Sequence, residues 1–200
     1  MNRCEKCGGE VRTATLDKYN AKSLVGLPVM LIESVEARQC AKCGDLSEVS
    51  IPDPNGLITA VAISRVMSPE KLHGKEIRFM RKALDISAVE LAEMLGVQPE
   101  TLSRWENDAA TIGPANEKLL RFIVGIKLDK SGKAPGILFD EETIVQMNIN
   151  SVALVGKKEV QHFQIVKILK EKSHIEPIWA KVCENVGIKE SDIEMGCNET

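Results

Sequence analysis

The clearest pattern of apolar and polar positions lies between Glu76 and Val124. Ile77, Met80 and Leu84 recur at steps of three and four, and Val89, Leu91, Ala92 and Leu95 repeat the pattern. Leu102 with Trp105 gives a third stripe, and Leu119, Leu120, Ile123 and Val124 a fourth. Punctuation sits between the stripes. Ser87 followed three residues later by Glu90 is a capping box, in which each residue satisfies a free N–H of the other at a helix start. Gly96 falls where a helix ends by entering the left-handed region, which glycine does without steric cost. Gln98 reads as the next cap, with Pro99 at a natural first-turn position. Four short helices around one small core, the middle two joined by a tight turn, is the helix-turn-helix plan.

Outside this stretch the periods change. Val11 to Tyr19 and Val25 to Val35 read as strands, with a turn near Lys22 and Ser23. Ile51 to Gly56 (IPDPNG) is a loop by composition. Leu57, Ile58, Val61, Ala62 and Val66 predict a helix up to Met67. Ser68-Pro69 then reads as a cap and first turn, predicting a helix that begins early and is interrupted at His73-Gly74. His73 beside that glycine reads as a surface residue. Asp129 to Gly136 has linker composition, and Glu159 to Lys172 fits either period. Pro177 to Val186 predicts a short helix burying Ile178, Val182 and Val186. The expectation is an α+β, multidomain chain. It comprises a zinc-binding ribbon-like domain (1–50), a helical connector (51–75), the helix-turn-helix (76–126) and a C-terminal region of unassigned role (127–200).

The cysteines sharpen the N-terminal part. Cys4-Glu-Lys-Cys7-Gly8 and Cys40-Ala-Lys-Cys43-Gly44 are two C-x-x-C-G knuckles. Two intervening residues let both sulfurs reach one ion, and the glycine lets the backbone turn its N–H groups toward them. Four thiolates make a closed, structural zinc site with no position left for water or substrate. An iron–sulfur cluster uses the same ligand count. A disulfide framework lacks an oxidising compartment to form in, and a thioredoxin-like redox pair occurs once in a βαβ unit, not twice. Cys183 and Cys197 with His162 and His174 match no ligand spacing.

On the helix after the turn, Arg104 is the strongest candidate for reading DNA. Its planar fork matches the two acceptors on the guanine edge in the major groove. The alternative is an exposed arginine paired with Glu100 one turn earlier. Gln98 and Thr101 are candidates for base or phosphate contact, and Glu100 could accept from cytosine or hold Arg104. Ser103 and Asn107 are candidates for phosphate only. Trp105 belongs to the core. One short recognition helix covers few base pairs, so a homodimer on a near-palindromic double-stranded site is expected.

Composition adds limits. A net charge of −3 does not announce a nucleic-acid binder, so any DNA contact needs a local positive patch. No apolar run approaches a bilayer's span and MNRCEKCGGE has no signal-peptide core, which predicts a cytoplasmic protein without membrane contact. No nucleophile–base pair or phosphate-cradling loop points to an enzyme.

The stretch IRFMRKALDISAVELAEMLGVQPETLSRWEN resembles the Xre/Cro helix-turn-helix family, in which SRWE is a habitual end to the recognition helix. With its continuation TIGPANEKLLRFIV and the N-terminal cysteines, it resembles the MqsA-type antitoxins, the YgiT-type zinc-finger family. The resemblance stops near Ile126. It implies a repressor that binds its own operon and pairs with a toxin protein, with the zinc domain structural and facing the toxin. It also implies that Glu106 faces inward toward Arg81, a bracing pair. One departure is Ala88, where the family places a glutamine that helps grip phosphate. The alternatives are a free-standing phage- or plasmid-type regulator without a toxin, and a zinc-ribbon adaptor that binds protein.

Overall fold

The computed structural model describes residues 3–134, 136–149, 160–171 and 174–182, with backbone alone for 166–171 and 174–177. Two long strands, β1 (Val11–Asn20) and β2 (Val29–Cys40), form an antiparallel hairpin closed by the short helix α1 (Lys22–Val25). Val25, expected to open the second strand, is instead buried in α1, and β2 starts at Val29 and runs on to Cys40. Midway, Glu33 and Ser34 of β2 oppose only Asp17 of β1, with Glu33 at φ 46°. This is a bulge, and it shifts which β2 side chains face the core. Val29 and Leu31 are buried before it, Val35, Ala37 and Cys40 after it.

The bulge also recruits the far end of the chain. The Ser34 hydroxyl accepts the Ile165 amide at 2.8 Å. Beside it, β4 (Gln161–Glu171) pairs parallel with the first residues of β2, and β5 (His174–Val182) pairs antiparallel with β4. β3 (Leu46–Ser50) pairs with the far half of β2, completing a five-stranded sheet among the described residues. Residues 161–182 thus extend the N-terminal sheet. The helix expected from Pro177 is a strand in the described part, and Val186 lies outside the described residues. Ile178, Ala180 and Val182 fit a period of two as well as the spacing of four that suggested a helix. Pro177 is tolerated because, among the described residues, β5 pairs only with β4, which leaves its other edge without a ladder that needs the missing N–H.

Between β3 and β4 the chain is helical. α2 (Pro54–Met67) is buried from Gly56 to Val66 except Ile58, as expected of a helix apolar nearly all round. It packs against β5 on one side and against α3 (Gly74–Ala83) and α6 (Pro114–Asp129) on the other. The Trp179 indole N–H donates to the Asp53 carbonyl at 3.0 Å, fastening β5 to the start of α2. One hydrophobic core therefore runs from Leu31 and Phe163 in the sheet through Val61 to Leu91 and Leu102. The interrupted helix expected from Ser68 does not form: Ser68 ends α2 in extended backbone, and α3 begins at Gly74 with His73 exposed at its cap. α6 runs to Asp129, the first residue of the expected linker, and α7 (Glu141–Gln146) packs on it.

Candidate nucleic-acid interface and metal centre

α4 (Ala88–Leu95) and α5 (Pro99–Glu106) form the helix pair. Ser87 Oγ accepts the Glu90 amide at 3.1 Å while the Glu90 carboxylate accepts the Ser87 amide at 2.7 Å. Gly96 ends α4 in the left-handed region at φ 66°. Leu91, Ala92, Leu95, Leu102 and Trp105 are buried. Val89 and Leu119, expected in the apolar stripes, are 52% and 39% exposed, because each lies at the margin of its helix's buried face. On α5 the outward residues are Gln98, Glu100, Ser103, Arg104 and Asn107, with Thr101 half-buried.

The end of α5 is held from behind by α3. Arg81 donates to the Glu106 carboxylate at 2.6 and 3.0 Å, and Arg78 adds a third contact at 3.3 Å. Burial alone would raise the Glu106 pKa, but Arg81, and after it Arg78, outweigh burial and hold it below the usual carboxylate range. Gly74 lies so close that a Cβ there would stand 2.6 Å from the carbonyl oxygens of Trp105 and Glu106. Its amide donates to Asp108 at 2.7 Å.

Asn107 is occupied within the chain. Its Oδ1 accepts from Arg78 at 2.6 Å and its Nδ2 donates to the Ser103 carbonyl at 2.8 Å. Asn107 thus helps terminate α5. Arg78 was not legible as a site residue. Its one signal is the position three residues before Arg81, which places both on neighbouring lines of the helix.

Arg104 has no side-chain hydrogen bond or ion pair among the described residues, and no Glu100–Arg104 pair forms. Glu100 lies in the first turn of α5, where a carboxylate complements the positive end of the helix dipole. That gives the acid a local reason to be there.

A buried network ties this unit to α2. Arg121, wholly buried, donates to the carbonyls of Arg65, Val66 and Ser68 at the end of α2, and to that of Glu70. It also pairs with Glu117 at 2.8 Å. Glu117 accepts the Leu72 amide at 2.8 Å and Lys71 at 3.3 Å. Arg65 pairs with Glu76 at 2.8 Å. Orphan carbonyls of one helix are thereby satisfied by a cation from another.

At the opposite end, the four cysteines converge at the open end of the β1–β2 hairpin, where Cys4 and Cys7 precede β1 and Cys40 ends β2. The two knuckles fold alike: the Gly8 amide donates to the Cys4 carbonyl at 2.8 Å and the Gly44 amide to that of Cys40 at 2.9 Å. The Lys42 amide donates to Cys40 Sγ at 3.4 Å. Sγ separations are 3.7 Å for Cys4–Cys43 and 3.4 Å for Cys7–Cys40 and Cys7–Cys43. All four sulfurs lie within 4.8 Å of one another. Thiolates on a tetrahedral zinc at ~2.3 Å stand roughly 3.8 Å apart, so the set fits such an ion with little adjustment. A Cβ on Gly9 would sit 2.8 Å from Lys42 Cβ and 3.0 Å from Cys40 Sγ, so only glycine lets the knuckles close. The Cys43 and Lys42 amides hold the Cys40 thiol down at about 6. Cys43 is pushed up to about 12, against the Asp45 amide, by the crowding sulfurs of Cys7 and Cys40. A cation would relieve that crowding.

A helix-turn-helix family model matches residues 77–121, from Ile77 in α3 to Arg121 in α6. No curated protein and no solved structure matches the chain. No helix among the described residues is long and apolar enough to cross a membrane. The helix-turn-helix supports a DNA-binding transcription regulator, and the four cysteines are compatible with a bound metal ion.

Proposed function

We propose that this chain is a sequence-specific transcriptional repressor that binds operator DNA as a homodimer and serves as the antitoxin of a toxin–antitoxin pair. The observation that carries the DNA reading is Arg104: it is outward, has no partner among the described residues, and stands on a helix braced from behind by Arg81 and Glu106. A guanidinium held this way is free to take the two acceptors of a guanine edge. Gln98, Thr101 and Glu100 flank it on the same helix, with Ser103 available to a phosphate.

The cysteines hold structural zinc in this reading. Cys4, Cys7, Cys40 and Cys43 supply all four ligands, and the ion supplies cross-linking of the open end of the hairpin. The protein works in the cytoplasm and catalyses nothing. Support for a protein partner comes from β3, all of whose residues are exposed, Leu46 and Val49 among them.

Titration of the full-length protein on its own promoter duplex and on a scrambled duplex, at two salt concentrations, tests the reading. A regulator prefers the promoter and weakens steeply with salt. Equal, salt-insensitive binding to both duplexes would favour a protein-binding adaptor. A short neighbouring reading frame encoding a toxin separates the antitoxin from a free-standing regulator.

A further inference from the structure

We infer that the outer face of α3, carrying Lys75, Arg78 and Lys82, grips the phosphate backbone beside the recognition helix. The inference rests on the DNA-binding reading above and names the surface that supplies its affinity. The exposed face of α5 carries one acid, Glu100, and one base, Arg104, so it contributes no net attraction to a polyanion. The chain as a whole is at −3. A neighbouring cationic surface is therefore required for binding at ordinary salt.

α3 provides it through its spacing. Positions 75, 78 and 82 follow steps of three and four and line one side of the helix. That side faces away from the buried Ile77 and Met80. The other charges of α3 are already committed. Glu76 is buried against Arg65, and Arg81 is spent on Glu106. The adjoining Asp108 accepts the Gly74 amide.

Lys75 and Lys82 are exposed and have no ion-pair or hydrogen-bond partner among the described residues, Asp85 and Asp108 included. Arg78 fixes where the stripe lies. Its guanidinium reaches the Glu106 carbonyl and Asn107 Oδ1 at the end of α5, with the side chain 42% exposed. The stripe thus borders the outward face of the recognition helix at its C-terminal end, where the backbone flanking a read groove passes.

The test compares full-length wild type with Lys75→Ala/Lys82→Ala by anisotropy on fluorescent promoter and scrambled duplexes across a salt series. Each phosphate contact contributes about 0.9 to the slope of log K against log salt. The double variant is expected to flatten that slope by about two and to weaken both duplexes alike, leaving their ratio unchanged. Lys75→Arg/Lys82→Arg should keep the wild-type slope, and Lys18→Ala/Lys22→Ala on the sheet hairpin should not flatten it. An unchanged slope in the α3 alanine variant, or an equal loss in the hairpin variant, overturns the stripe while leaving the regulator reading intact. Absence of binding by wild type to either duplex overturns that reading and the stripe with it.

Discussion

Arg121 and Glu117, one turn apart on α6, pair at 2.8 Å with both side chains fully excluded from solvent. Their remaining hydrogen bonds reach α2 and the segment before α3. A charge pair placed there serves geometry more than net stability, because desolvation offsets most of its Coulomb gain. Its effect is to fix the reading head on α2, and α2 is in turn fixed to the sheet.

Removing one partner should therefore be costly. Glu117→Gln leaves the Arg121 guanidinium buried without its counter-charge, an expected loss of about 3–5 kcal/mol. Urea unfolding monitored by tryptophan fluorescence measures it. A loss below about 1 kcal/mol would mean that the network does not hold the helices.

Glu106 predicts an acid-side dependence. Its folded pKa is depressed by Arg81 and Arg78, against burial. The stability this gives is complete above its unfolded value of about 4.3 and is lost as pH falls through the folded value. Glu106→Gln should be less stable than wild type at neutral pH, and the difference should shrink on acidification. Denaturation series between neutral and strongly acidic pH check the sign. A gap that widens at low pH would contradict it.

The metal centre is tested by Cys40→Ser or by a strong chelator. Either should release one zinc per chain, measured by elemental analysis, and erase hydrogen-exchange protection at the open end of the hairpin around the cysteines. The helices around Arg104 should keep their protection and the protein its DNA affinity, because the sulfurs lie at the end of the hairpin remote from the shared core. Loss of DNA binding together with the metal would show that the reading head depends on the ion.

What could be read in the residues follows from how local the physics is. The capping box at Ser87 and Glu90, the stop at Gly96 and the paired knuckles are decided within a few positions, and each recurs in the fold. The inward direction of Trp105 follows from its stripe. The parallel pairing of Met30 with His162 was not legible, because nothing near either residue encodes a partner so far away in sequence. The part Asn107 plays at the end of α5 was not legible for a related reason: it depends on Arg78, which arrives from another helix. Val89 and Leu119 belong to apolar patterns but sit at their edges, where period alone does not decide burial.

The affinity of Arg104→Ala for the promoter duplex, set beside its affinity for the scrambled one, bears on whether this helix reads sequence at all. The variant should fold as wild type does and lose roughly 1–3 kcal/mol on the promoter alone. Undiminished preference for the promoter would remove Arg104 from the readout and, with it, the reason for assigning this face to DNA.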